Sequence, residues 1–570
     1  MKKIVLYLLI LVGVLLLARY VVKHNKFIYN LLNIREPNTI ETNLSAPVLA
    51  VFSFQSEELN HILDSFPHYT VKLNDIDNWD IKRKVIIQIP DSIPLMITVE
   101  TWGRNKNSAH THKPIEDLVK GRYDDVIKQL CTQLIGKRPN VYFRFNPEME
   151  VPASFYPWQQ YASYTEAFRH FSALCKTYAP QIKQVWGPAG YPGVMERYPG
   201  DDFVDAASVT LKSDSEMTLD VYPKNYPVEY DLMRRLHRLR FINKPIFIIG
   251  SKHNANDSIN DSLVSSITHQ IIQNKSIIYT ADNFQRPEMK DRFSQQGKIE
   301  IGVYDPQSLL NEEEPVTVEH LFADFGSLHD GTFQNSFNKV VERDHNVIVT
   351  FEPFRNQNEK TDLKVLQHVT EGKYNHQISH LYSIILSTKK QVYLRYAHEM
   401  EIPITRYPWQ SQNPVDYIKS YRYFMTFQDT LPATIKRVWG PAGDRGSIEW
   451  WPGNDVVDLM SIAIYGLPDK HITDSNKQES FLTIFNRKSK RFRFIDKPLF
   501  IMEFGVKGSE EYQIKWLETA AKVIRRNPQI IGVNYFNMSD TPKAWGEIKP
   551  PDWRISKKSF DNFIKALNEE

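Results

Sequence analysis

Two glutamates stand where apolar runs stop. Glu399 ends VYLRYAHE and Glu503 ends PLFIME, so each carboxylate arrives where a fully apolar strand emerges. Two carboxyls at strand ends can cut a glycosidic bond with retention, one as general acid/base and the other as nucleophile. Taken singly, either reads equally well as a strand-end carboxylate paired with an arginine such as Arg395. A dense aromatic set accompanies them: Phe354, Tyr407, Trp409, Trp439, Trp450, Trp451, Tyr465, Tyr535 and Trp545. Phe, Trp and Tyr make up 12% of the chain, more than a core requires, and flat rings stack on the apolar faces of sugars.

Such residues need a scaffold, and the chain writes one twice. VYFRFNPEMEVPASFYPWQ from Val141 returns as VYLRYAHEMEIPITRYPWQ from Val392, 251 residues on. VWGPAG follows each (Val185, Val438), then a PG-D/N-D-x-V-D segment (Pro199, Pro452) and RF-I-x-KP with an apolar tail (Arg240, Arg493). The first copy keeps Arg144, Glu148, Trp158 and Trp186 opposite Arg395, Glu399, Trp409 and Trp439. It has Pro147 for His398, Lys212 for Tyr465 and Gly250 for Glu503. Without a second carboxyl the double-displacement route closes. The first copy is therefore expected to be a pseudo-enzyme with a vestigial site of Glu148, Trp158 and Trp186, binding glycan or serving as a spacer.

At 570 residues the chain exceeds a single core. VIIQI (Val85), LMITVET (Leu95), VYFRF (Val141), VWG (Val185) and IFIIG (Ile246) read as strands buried on both faces, separated by amphipathic stretches such as Tyr161 to Tyr178. The second half offers IEIGVY (Ile299), NVIVTFEP (Asn346), VYLRY (Val392), VWG (Val438), LMSIAIYG (Leu459), LFIMEFG (Leu499) and IIGVNYF (Ile530). Strand and helix alternating over about 250 residues predict an α/β protein of two tandem (β/α)8 TIM barrels. They span 46–294 and 298–570 and join in the polar stretch Phe284 to Lys298.

At the N-terminus, Lys2 and Lys3 precede an apolar run from Ile4 to Val22 broken only by Arg19. Residues 1–25 thus read as a membrane anchor or a signal segment, with the uncleaved anchor favoured, and 26–45 as a stalk. Arg19, Lys23 and Lys26 add positive charge on the far side as well, yet export of the barrels is the better reading; the anchor makes the membrane a partner, and cleavage leaves a secreted or periplasmic protein. With 70 basic and 67 acidic residues the net charge is +3, which carries no footprint of nucleic-acid binding. Cys131 and Cys175 read as buried thiols, with a disulfide open outside the cytoplasm. His110 and His112 read as a solvated loop rather than a metal site, and no nucleotide fingerprint occurs, so no metal and no cofactor is expected.

HEM at His398 to Met400, YPW at Tyr407 to Trp409, WGPAG, WWPGNDVVD, KPLFIMEFG and the closing DWRI at Asp552 resemble the family 26 glycoside hydrolases. That family holds β-mannanases and related β-glucan and β-xylan endohydrolases, and the resemblance runs from about Ile299 to Leu567. It implies a retaining (β/α)8 enzyme with Glu399 as acid/base after the fourth strand and Glu503 as nucleophile after the seventh. It also implies His398 as the histidine before the acid/base and Tyr465 as a tyrosine against the nucleophile. Arg395, His398, Tyr407, Trp409, Trp439, Trp451, Tyr465 and Tyr535 are the expected substrate-binding side chains. EIPITR between HEM and YPW departs from the mannanase pattern and leaves the glycone open. The expected function is a β-mannanase-like endo-β-glycosidase acting on an extracytoplasmic polysaccharide. The alternative is a non-catalytic glycan-binding or exopolysaccharide-assembly protein with two pseudo-enzyme barrels.

Overall fold

A computed structural model describes residues 48–569, apart from 55–65, 75–85, 103–112, 160–161, 212–225, 251–260, 281–296, 355–360, 404–405, 467–478 and 541–548. The expected anchor and stalk, His110, His112, Lys212, Trp545 and most of the expected junction lie outside the described residues. Among the described residues no helix is long and apolar enough to cross a membrane. The chain forms two compact units, one up to Gln273 and one from Asn274.

In the first unit the strands are β1 (Val48–Phe52), β2 (His68–Lys72), β3 (Leu95–Glu100), β4 (Val141–Phe145), β5 (Lys183–Trp186), β6 (Ala206–Leu211) and β7 (Ile246–Gly250). The second adds β8 (Glu300–Tyr304), β9 (Val318–Asp324), β10 (Asn346–Glu352), β11 (Val392–Tyr396), β12 (Ile435–Trp439), β13 (Leu459–Gly466), β14 (Leu499–Val506) and β15 (Ile530–Phe536).

The second unit is a closed parallel barrel in which β15 pairs with β8. Every residue of β11 and β14 is buried, as apolar runs covered on both faces require. Val318, Ile348, Tyr393, Val438, Leu459, Phe500 and Met502 form one cluster of that core. Phe500 fits because β15 carries Gly532 beside it, where a Cβ would come within 2.7 Å of the ring. Asn413, Ser480, Ser509 and Ser556 each close a loop by capping the next helix through a backbone N–H. These caps fix where each helix starts and hence where each strand-end loop stops.

The first unit is not the expected closed barrel. Its seven strands form a curled sheet in the order β1-β7-β6-β5-β4-β3-β2, with β2 to β7 parallel. β1 runs antiparallel along β7, pairing Val48 with Ile249 and Phe52 with Ile246. It therefore takes the edge that β15 takes on β14 in the barrel. The first copy's counterpart of β15, IIYTADNF from Ile277, turns over Ile277–Tyr279. With no eighth parallel strand between β7 and β1 among the described residues, the sheet does not close.

Among the described residues the expected strand from Val85 is not formed either. Ile86 to Gln88 are helical and Ile87 is 67% exposed, because Pro90 halts the run and Arg138 gathers the carbonyls of Ile89, Pro90 and Ile93. Three strands lack the apolar run that marks the others: β6 is rich in small residues, while β2 and β9 carry His68, Glu319 and His320. β1 (VLAVF) is as apolar as the rest and lies outside the sequence expectations.

Candidate active site

β11 delivers Arg395 and then turns sharply. Ala397 (φ 42°) and Glu399 (φ 54°) both adopt left-handed backbone, a costly conformation for residues with a Cβ. The turn is held from outside. The Glu399 N–H donates to the Gly440 carbonyl (2.9 Å), Trp409 Nε1 to the His398 carbonyl (2.9 Å) and Gln410 Nε2 to the Glu399 carbonyl (3.2 Å). The YPWQ segment thus clamps the HEM turn through backbone carbonyls.

Glu503 does not end its strand as expected but lies inside β14, which continues to Val506, and two donors meet its carboxylate. Arg395 Nη2 donates to Oε1 and the Tyr465 hydroxyl to Oε2 at 3.0 Å. Arg395 is itself anchored by Nε to Thr350 Oγ1 (2.8 Å), which also lies 2.8 Å from His320 Nε2. Gly440 leaves the room: a Cβ there would collide with the Arg395 side chain. His398 stands between two acids, Nε2 at 4.0 Å from Glu503 and Nδ1 at 3.9 Å from Glu352. Burial, reinforced by the Arg395 charge, holds its imidazole well below the usual histidine range and therefore neutral near pH 7.

Glu399 lies in a different setting. It is half-buried, and its carboxyl makes no side-chain hydrogen bond among the described residues. Burial, then the charges of Glu503 and Glu401, push it up to about 8. An acid that keeps its proton near neutrality, close to a second carboxyl that receives two donors, gives the pair two chemically different environments.

The structure brings Arg395, His398, Glu399, Tyr465 and Glu503 together, with Tyr407 stacked on Trp409 (4.6 Å, 4°) next to them. Trp409, Trp439 and Trp451 are buried side chains that present no face to a cleft. Trp439 packs edge-on against Trp451 and Phe492. Tyr535 is buried too; its hydroxyl donates to the Trp553 carbonyl (2.7 Å) and accepts from the Val506 N–H (3.4 Å). The half-exposed rings are Tyr304, Phe322, Phe354, Tyr407, Tyr465 and Phe536, with Tyr304 stacked on Phe536 at 4.8 Å.

Sequence reading passed over two acids. Glu352 ends NVIVTFE as Glu399 and Glu503 end their runs, and burial pushes it up to about 8 against a hydrogen bond from Tyr407. That shared position was the available signal. Glu401 pins the loop after β12, accepting from the N–H groups of Ala442 (3.3 Å), Gly443 (2.9 Å) and Asp444 (3.0 Å) and from Ser447 Oγ (2.7 Å). Among the described residues no group of three or more His, Cys, Asp or Glu could hold a metal ion.

The first unit repeats the scaffold with the reactive end rebuilt. Glu148 (φ 60°) donates its N–H to the Gly187 carbonyl at 2.8 Å, Trp158 Nε1 donates to the Pro147 carbonyl, and Tyr156 stacks on Trp158 (4.8 Å, 4°). His68 lies 2.7 Å from Thr98, as His320 does from Thr350. Where β7 ends in Gly250, Arg144 turns instead to β6, donating from Nε to Ser208 (2.8 Å) and from Nη2 to Thr210 (2.6 Å). Thr210 stands opposite Ala463, so the hydroxyl that replaces the missing carboxylate is specific to this copy. Trp158 and Trp186 are fully buried.

No protein-family model matches the chain. It is similar to a β-1,3-xylanase from Alcaligenes sp., 28% identical over 145 residues that make up 24% of this chain and 28% of that protein. The β-1,3-xylanase TXYA from Vibrio sp. is 29% identical over 147 residues, again 24% of this chain and 28% of the relative. The chain thus spans little more than a quarter of the length of these curated relatives. Among solved structures, GH26A from Muricauda sp. is 14% identical, covering 43% of this chain and 85% of that one, with a TM-score of 0.29. Xylanase 10B from Thermotoga maritima is 13% identical, covering 48% and 97%, with a TM-score of 0.33.

Proposed function

We propose that the second unit is a retaining endo-β-glycosidase that cuts an extracytoplasmic polysaccharide. In this reading neutral Glu399 protonates the leaving oxygen while Glu503 attacks the anomeric carbon. Glu399, now ionised, then takes a proton from the water that releases the glycosyl group. The observation that carries the reading is the contrast between the carboxyls: Glu503 receives Arg395 and Tyr465 as donors, whereas burial and neighbouring acids keep the Glu399 proton. The local likeness to β-1,3-xylanases supports a β-linked polymer and adds β-1,3-xylan to β-mannan as the substrates to try first. The first unit is read as non-hydrolytic, because its arginine is committed to hydroxyls of β6 and its seventh strand ends in glycine. The apolar run from Ile4 to Val22 is read as the membrane anchor that holds both units outside the cytoplasm.

The test is activity of wild type, Glu399→Ala and Glu503→Ala on β-1,3-xylan, β-mannan, mixed-linkage β-glucan and exopolysaccharide. A loss of at least about 10^4-fold in the Glu503 variant is expected. The first-formed anomer, followed by NMR, should retain the β configuration. Equal traces of activity in all three proteins would sink the enzymatic reading and favour a glycan-binding protein. Inverted product would remove the nucleophile role from Glu503.

A further inference from the structure

We propose that Cys131 and Cys175 form a disulfide that cross-links the first unit when the chain folds in an oxidising compartment. The chain has two cysteines in 570 residues. They come from sequence positions 44 apart and from different elements, yet their sulfurs lie 3.6 Å from each other and both residues are fully buried. A bond between them needs the sulfurs to close to about 2.05 Å.

The second unit provides an internal comparison. Tyr382 stands opposite Cys131 in a regular helix, Asn375–Ile385, where its ring lies on Phe427 and its hydroxyl donates to the Phe424 carbonyl (2.8 Å). The architecture therefore fills this place without sulfur. In the first unit the chain instead enters a π-helical stretch, Leu130–Ile135, that carries Cys131, while Cys175 lies in the last turn of the helix Tyr164–Tyr178. Isolated π turns inside helical segments recur where a side chain has a task beyond packing. Here the turn aims one thiol at the other. The link would tie together two helical elements of a sheet that does not close into a barrel.

The chemistry is thiol–disulfide exchange with an external disulfide, either a disulfide-bearing oxidoreductase or an oxidised small thiol. One cysteine thiolate attacks that disulfide and releases one thiol; the second then displaces the other half. Each cysteine loses one proton, the new S–S bond takes up the oxidation, and the external disulfide leaves as two thiols. Burial raises the Cys175 thiol well above its usual range, so exchange belongs to folding or a local opening, and the finished bond is shielded from reductants.

The experiment unfolds the full chain with reductant and refolds it, in detergent, in mixed reduced and oxidised glutathione. Thiols are then counted with a maleimide in denaturant, and peptides are mapped by mass. The expected result is no maleimide adduct before reduction, two after it, and one linked peptide pair joining Cys131 to Cys175. Reduction should also lower the first unit's melting temperature by roughly 10 °C, while the Cys131→Ser/Cys175→Ser protein should show no response to reductant. Two adducts on the refolded wild type, or glutathione on either cysteine, overturns the inference.

Discussion

In the second barrel, Arg395 Nη2 donates to Oε1 of Glu503, with Arg395 2% and Glu503 6% exposed. The strands bearing them are not neighbours: β11 and β14 are separated by β12 and β13. The pair therefore spans the barrel mouth, and each charge depends on the other for its place in a buried site. Removing one partner leaves an uncompensated charge, which costs more than a surface pair would. Arg395→Met is expected to destabilise the chain by about 3–5 kcal/mol, read as a lower urea midpoint for the second unit's transition. A midpoint within error of wild type would show that Glu503 finds another partner.

Tyr465 holds the other oxygen of Glu503 at 3.0 Å. Tyr465→Phe keeps the ring on Trp553 (4.6 Å) and removes only the donor. The expected outcome is a fall of about 10- to 100-fold in kcat with an unchanged melting temperature. A change confined to KM would assign the hydroxyl to substrate binding instead.

Glu399 and Glu352 both titrate near 8, far above the roughly 4.3 of a free glutamate. For catalysis, the proton donor is lost as pH rises, so kcat should fall through about pH 8. For stability, both states hold the proton below about 4.3, and above it the unfolded chain releases the proton first. The contribution of these two groups to stability is therefore greatest at the acid end of that window and declines up to about pH 8, where the folded groups ionise. Glu352→Gln should shrink the loss of stability between pH 5 and pH 9. An unchanged pH dependence of the urea midpoint would show that Glu352 is ionised in the folded protein.

Restoring a carboxylate to the first unit should not restore chemistry. In a Glu503→Ala background, Gly250→Glu places the acid on β7, yet Arg144 is engaged with Ser208 and Thr210, and Pro147 stands where the barrel has His398. No hydrolysis above the Glu503→Ala background is expected. Recovered turnover would make the loss of Glu503's counterpart the only defect of the first copy.

Much of this was legible because the barrel strands are apolar runs, and a charged residue that ends such a run is conspicuous. Glu399, Glu503, Arg395 and Tyr465 stand out in that way or through the motifs around them, and the fold brings them together. Glu352 obeys the same rule, but NVIVTFEP by itself reads only as a strand. The indoles misled for a physical reason: composition cannot tell a ring that faces a cleft from one that seals a turn. Trp409 spends its N–H on the His398 carbonyl and lies buried, while Tyr304, Phe322 and Phe536 keep partly exposed faces.

By itself the sequence determined the recurrence of its motifs, the alternation of strand and helix, and the placing of Gly250 opposite Glu503, since all three are local patterns or letter-by-letter comparisons. Tertiary structure alone decided what depends on distant contacts. β1 runs antiparallel against β7, so the first sheet stays open; Arg144 turns to β6 in the absence of an acid; and Cys131 meets Cys175 across 44 residues. Edge pairing, charge compensation and sulfur contact are set by which groups the folded chain brings within a few ångströms, and no period or motif records that.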